Sequence, residues 1–131
     1  MAHDPIARLQ HLYADAVVRF DGDQWGATWA PDAKWNLGGG REVEGRDAIV
    51  DLWFKAMGGF RAVSQSVMNG TYELDDEDGT GCGRWYIIEH YERANGDKGR
   101  LLAYYNDTYA LVDGEWLFAS RELVPLSLIH I

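Results

Sequence analysis

Apolar positions near the start of the chain recur at helical spacing: Ile6, Leu9, Leu12, Tyr13, Ala16, Val17 and Phe20. Asp4-Pro5 supplies a cap followed by proline at the first helical position, and Asp21-Gly22 supplies the stop. The pattern predicts an amphipathic helix over 5–20. Residues 23–30 predict a second, short helix, with Trp25 and Trp29 stacked four apart and Pro31 ending it. Lys34 to Leu37 and Arg41 to Glu44 flank three glycines, the signature of a hairpin. A third helix is expected over 46–57, with Ile49, Leu52, Trp53 and Met57 inward and Gly58-Gly59 stopping it.

The rest of the chain changes period. Residues 61–74 predict a long strand, and the acidic turn 75–79 leads into three more, over 83–91, 100–112 and 115–124. β-branched and aromatic residues crowd these runs, with turn signals at 94–97 and at Asp113-Gly114. Helices followed by antiparallel strands make an α+β fold. Side chains alternate between faces of a strand. Tyr86, Ile88 and His90 therefore share one face, Leu101, Ala103, Tyr105, Asp107 and Tyr109 another, and Leu117, Ala119, Arg121 and Leu123 a third. Each set mixes apolar bulk with a few polar groups, the composition of a small-molecule pocket. The sheet is expected to curl around one.

Composition narrows the function classes. The 131 residues suit one domain, 1–131, and six tryptophans are many for that size. Twelve basic against 21 acidic residues leave a net charge of −9, which argues against a nucleic-acid footprint and against an anionic membrane surface. A lone Cys82 excludes an internal disulfide and fits a reducing cytosol. The first residues carry no leader-like apolar run, and no stretch approaches membrane-spanning length. The expectation is a soluble, cytoplasmic domain. Gly38-Gly39-Gly40 lacks the Gly-Lys-Ser/Thr of a phosphate loop. The acidic run at 75–78 has the wrong register for an EF-hand, and no His/Cys cluster has metal spacing. No cofactor and no metal are expected.

Asp21 is the sharpest single candidate. Counting by four from Tyr13 through Val17 reaches it, so it continues an apolar face at a helix C-terminus. Both settings disfavour its negative charge, the conditions that make a carboxylate a general base near neutral pH; the plain alternative is a solvated turn residue. His90 is the one histidine inside a predicted strand, and is either a site residue or structural. Arg121 would bind an anionic or carbonyl oxygen, or pair with Asp107. Tyr86, Tyr105 and Tyr109 would donate hydrogen bonds to a ligand, or simply pack.

The motifs Asp21 to Trp25, Pro31 to Trp35 and Glu44 to Ile49, followed by four long strands, resemble the SnoaL-like branch of the NTF2-like superfamily over nearly the whole chain. The resemblance implies a cone of curved, mixed, mostly antiparallel sheet wrapped on three N-terminal helices, a deep pocket and frequent dimers. It implies members such as scytalone dehydratase, bile-acid dehydratases, a dehydrochlorinase and ketosteroid isomerase, the last a known precedent for a tuned carboxylate base. Asp21 resembles the aspartate that backs the base in the dehydratases. Gln65, four residues before Asn69, stands where they carry a histidine. His90 resembles a second histidine of scytalone dehydratase, Asp107 a polar pocket position, and Arg121 a pocket arginine of the dehydrochlorinase. Ala16 replaces a tyrosine of the bile-acid dehydratases.

The expected function is cofactor-free proton transfer by a lyase or isomerase, dehydratase- or isomerase-like, on an apolar cyclic substrate. Asp21 or His90 would take the proton, and Tyr86, Tyr105 or Arg121 would stabilise the oxyanion. Trp25, Trp35 and Phe60 would wall the site, with Gln65, Asp107 and Ile88 also lining it. The alternative is a ligand-binding module without turnover, because Gln65 replaces the family histidine. His90 and Asp21 within hydrogen-bond reach would favour catalysis, and both turned away would favour binding. With Tyr86, Ile88 and His90 inward, Trp85, Ile87, Tyr91, Tyr104, Trp116 and Phe118 would crowd the outer face, which predicts a homodimer through the sheets.

Overall fold

The computed structural model describes residues 4–131. Met1 to His3, part of the stretch read as lacking a leader, lie outside the described residues. Helix α1 (Pro5–Arg19) starts as its sequence dictates: Asp4 Oδ1 accepts from the Ile6 and Ala7 amides, and Pro5 takes the first turn. Its buried stripe runs Ile6, Leu9, Gln10, Tyr13, Ala16 and Val17. Phe20 departs from expectation. It caps the helix in the left-handed conformation, φ 55°, and turns its ring to an exposed position. That break also removes the basis for counting on to Asp21.

Helix α2 (Gly22–Ala27) is shorter than the expected 23–30. Thr28 closes it, its hydroxyl donating to the Trp25 carbonyl at 2.6 Å, and Trp29 already opens strand β1 (Trp29–Gly38). The two indoles still meet, edge to face at 5.6 Å, but across a helix–strand junction. Pro31 lies where the pairing of β1 with the last strand is interrupted, between Trp29 and Lys34, the kind of place a strand tolerates proline. Strand β2 (Arg41–Glu44) and helix α3 (Arg46–Met57) follow as expected. Ile49, Trp53 and Met57 of α3 are buried, while Leu52 is half-buried.

Four long strands complete the chain: β3 (Phe60–Asp75), β4 (Thr80–Arg93), β5 (Lys98–Val112) and β6 (Glu115–His130). They form one six-stranded sheet in the order β2-β1-β6-β5-β4-β3. All neighbours are antiparallel except β1 and β6, which run parallel. The sheet is therefore mixed, with three helices ahead of its long strands, an α+β fold. None of the described helices is long and apolar enough to cross a membrane.

The inner, helix-facing side carries the core. On β5 it is the expected set, with Ala103, Tyr105, Asp107 and Tyr109 buried. On β4 the phase is opposite to expectation. Trp85, Ile87 and Tyr91 are buried inward, so Tyr86, Ile88 and His90 share the outer face. On β6 the register slips by one between Thr108 and Tyr109 of the partner strand, leaving Ala119 as a bulge. Phe118 and Arg121, three apart, consequently both point inward.

Six aromatic rings fill the space between the helices and β1 and β6. Trp25 stacks on Trp53 at 4.6 Å and 12°, and meets Trp35 at 5.4 Å. Tyr13 lies 5.4 Å from Trp25 and 5.5 Å from Phe118, and Trp29 completes the group at 6.3 Å from Tyr13. This end of the expected hollow is packed with rings.

Candidate active site

Two polar groups occupy the inner face. The deeper one is built on Arg121, 1% exposed. Its guanidinium meets Asp107 in a two-pronged pair, Nε to Oδ1 at 2.8 Å and Nη2 to Oδ2 at 2.9 Å, and Nη2 also donates to Gln10 Oε1. Gln10 Nε2 returns a bond to Asp107 Oδ2 at 2.9 Å, and the Tyr109 hydroxyl donates to the same oxygen at 3.0 Å. Trp85 Nε1 donates to Tyr109 at 3.1 Å. The cation lies 3.6 Å from the Tyr105 ring centre, 4.0 Å from Phe118 and 4.5 Å from Tyr13. Burial acts to lower the guanidinium's pKa, but the charge and hydrogen bonds of Asp107 leave it raised. A buried charge so fully paired is a structural element first. Of the two roles weighed for Arg121, the geometry realises pairing with Asp107.

The shallower group is Gln65, Tyr105 and Glu89. Gln65 Nε2 donates to Glu89 Oε1 and to the Tyr105 hydroxyl, each at 3.1 Å. Burial pushes the Tyr105 hydroxyl well above its ordinary pKa, with Tyr13 adding to the effect and Arg121 opposing it, so the phenol stays protonated and able to donate. Glu89 is raised from the ordinary carboxylate value, first by burial, while Gln65 and Arg93 act to lower it. Its face on β4 explains why: Glu89 lies in the inward row with Trp85, Ile87 and Tyr91.

The remaining candidates scatter. Asp21 is half-buried and caps α2, Oδ1 accepting from the Gln24 amide at 3.0 Å and Oδ2 lying 3.3 Å from Arg19 Nη2. It therefore sits at the favourable, positive end of a short helix as well as the negative end of α1. His90 is exposed on the outer face, opposite Ser64 of β3, so the two do not share the inner side. Tyr86 packs on Tyr104 at 5.7 Å on that outer face, where Ile88 also lies. Trp25 and Trp35 belong to the ring cluster, and Phe60 packs on Tyr91 at 5.7 Å at the start of β3. The indole nitrogens of Trp25 and Trp29 are buried without an acceptor among the described residues.

Glu89 and Gln10 escaped the reading of the sequence. Gln10 was legible, since it falls on the stripe Ile6, Gln10, Tyr13, Val17 at helical spacing. Glu89 was hidden by the β4 phase.

One mixed sheet covered by three helices, with two polar groups set on its inner, aromatic face, defines the class of fold. The sequence profile of the SnoaL-like domain matches residues 2–122, and the chain belongs to that family. Solved structures agree in fold. A scytalone dehydratase-like protein from Novosphingobium aromaticivorans superposes with a TM-score of 0.88 at 22% identity, over 97% of this chain and 85% of its own. The hexachlorocyclohexane dehydrochlorinase LinA-type3 from Novosphingobium barchaimii gives 0.86 at 17%, covering 97% and 88%. A cystatin-like protein of unknown function from Nostoc punctiforme gives 0.76 at 15%, covering 93% and 89%. No curated protein sequence matches the chain significantly.

Proposed function

We propose that the protein is a small-molecule lyase or isomerase that moves a proton on an apolar, ring-containing substrate without a cofactor. The observation that carries this reading is the Gln65–Tyr105–Glu89 group. Hydrogen-bonding side chains and a carboxylate whose pKa burial raises lie beside the aromatic interior, a setting that makes a carboxylate a stronger base. The dehydratase and dehydrochlorinase among the structural neighbours are consistent with it. Within this reading Tyr105 donates to substrate oxygen, Arg121 holds Tyr105 through its ring, and Asp21 remains a candidate at the α1 end.

A second reading has its own support. His90 faces outward and Asp21 is engaged by Arg19 and the α2 amide, so the pair that would have favoured catalysis is not assembled, and a ligand-binding module without turnover fits that geometry. Both readings need an interior site for an apolar ring. Titration with 2-naphthol is expected to quench tryptophan fluorescence and to move the NMR signals of Gln65 and Tyr105. Signals moving only on the outer sheet face would contradict an interior site.

We also propose that the domain pairs through its sheet, on corrected grounds. Trp85, Ile87, Tyr91 and Phe118 are buried inside and cannot contribute. The outer face instead presents Tyr86, Ile88 and Tyr104, with Arg84 over the Tyr104 ring at 5.0 Å, and Leu126 is 53% exposed near the end of β6. Light scattering at high protein concentration is expected to give the mass of a dimer, and a monomer's mass would contradict it.

A further inference from the structure

The inner row that contains Glu89 is unlike its neighbours. Antiparallel pairing sets Gln65 beside Glu89, Glu89 beside Leu101, and Leu101 beside Leu128. One step away along the strands, Val63, Tyr91 and Gly99 are buried, and one step the other way Ile87 and Ala103 are buried. The Glu89 row itself is half-buried, and Leu128 is 52% exposed. It is the place where the inner face meets solvent. A carboxylate, an amide and, through that amide, a phenol line one side of it, and leucines line the other.

We infer that Glu89 is the proton acceptor of this site, with Gln65 as its positioning residue and Tyr105 as the donor to substrate oxygen. The inference rests on the proton-transfer reading above. The carboxylate takes a proton from the carbon next to the carbonyl of a cyclic ketone. The C–H electron pair becomes a C=C bond, and the carbonyl π pair moves onto oxygen, which accepts a hydrogen bond from the Tyr105 hydroxyl. The oxygen pair then re-forms the C=O. In a β,γ-unsaturated ketone the double bonds shift and protonated Glu89 gives its proton to the γ-carbon, yielding the conjugated isomer. In a β-hydroxy ketone the C=C pair shifts to expel the β-hydroxyl, which takes the Glu89 proton and leaves as water. No oxidant, reductant or further reactant is required. The bland alternative is a rim carboxylate serving solubility. Such a group faces water and bonds to surface cations, as Glu92 does with Arg61 and Lys98; Glu89 instead lies in the inner row between Gln65 and Leu101 and bonds to an uncharged amide. Burial also disfavours its ionised form.

The test is hydrogen exchange at the α-carbons of 2-tetralone in heavy water, followed by NMR, with full-length wild type, E89Q, E89D, E92Q and D21N. Glutamine keeps the shape and the partner of Glu89 and removes a charge that burial opposes, so E89Q is expected to fold, as thermal unfolding will confirm. Wild type is expected to accelerate exchange over buffer, with a rate that climbs with pH through a value above the ordinary carboxylate range. E89Q is expected to lose about 100-fold or more of that acceleration. E89D should retain part of it with a displaced pH profile, and E92Q all of it. Acceleration that persists in E89Q but vanishes in D21N overturns the assignment of Glu89 and leaves proton transfer standing. Binding of 2-tetralone inside the domain with no acceleration overturns both in favour of the binding module. Neither binding nor acceleration removes the interior site altogether.

Discussion

An Asp107→Ala variant is expected to lose about 3–5 kcal/mol of stability, because it strands a buried guanidinium without its counter-charge. Asp107 is 3% exposed and Arg121 1%. The four hydrogen bonds that Asp107 accepts come from Arg121 twice, Gln10 and Tyr109, and its loss leaves the guanidinium only the uncharged Gln10 Oε1 as acceptor among the described residues. A loss of that size consumes much of the roughly 5–15 kcal/mol that holds a domain of this kind together. Removing both charges tells a different story. D107L/R121M replaces the pair with apolar bulk of similar volume, and should recover most of the loss, since well-packed hydrophobic substitutes for a buried pair are often neutral or better. Guanidinium unfolding of the three proteins checks this. A single variant within 1 kcal/mol of wild type, marked roughly by the worth of one exposed pair, would mean that water reaches Arg121.

The second large effect belongs to the ring cluster. Trp25 is fully buried, stacked on Trp53 and within 5.6 Å of the Tyr13, Trp29 and Trp35 ring centres. Trp25→Ala is expected to cost about 3–5 kcal/mol, combining lost burial with the cavity left behind. The cavity would be lined by rings and dry, so free indole should refill it and raise the unfolding temperature of the variant but not of wild type. A variant unfolding at the wild-type temperature would show that the cluster collapses freely around the gap.

How much of this was legible in the chain depends on the element. Helices α1 and α3 announced themselves by capping and by a 3.6-residue stripe. The inward face of β5 was equally plain, because only one of its two faces could bury Tyr105, Asp107 and Tyr109 beside a cation. Strand β4 was not. Trp85, Ile87 and Tyr91 on one side balance Tyr86 and Ile88 on the other, so period-2 alternation had no preference. The polar residues that differ between faces are Glu89 and His90, and a histidine attracts a functional reading more readily than a glutamate. The sheet settles the matter through its neighbours: Glu89 pairs with Gln65 and Leu101, both on the face that α1 covers. Two further departures are local. The Ala119 bulge aligns Phe118 with Arg121, which no count of alternate residues predicts, and the left-handed Phe20 turns the chain before Asp21 can extend the α1 stripe.

The account turns on Glu89 being an inward carboxylate in the ligand site. Its side-chain carbon can be followed by NMR through a pH titration, with and without 2-naphthol. Glu89 is expected to titrate above the ordinary carboxylate range, and its signal and midpoint to move when the ring compound is added. A Glu89 that titrates alongside the surface glutamates and ignores the ligand would contradict the account.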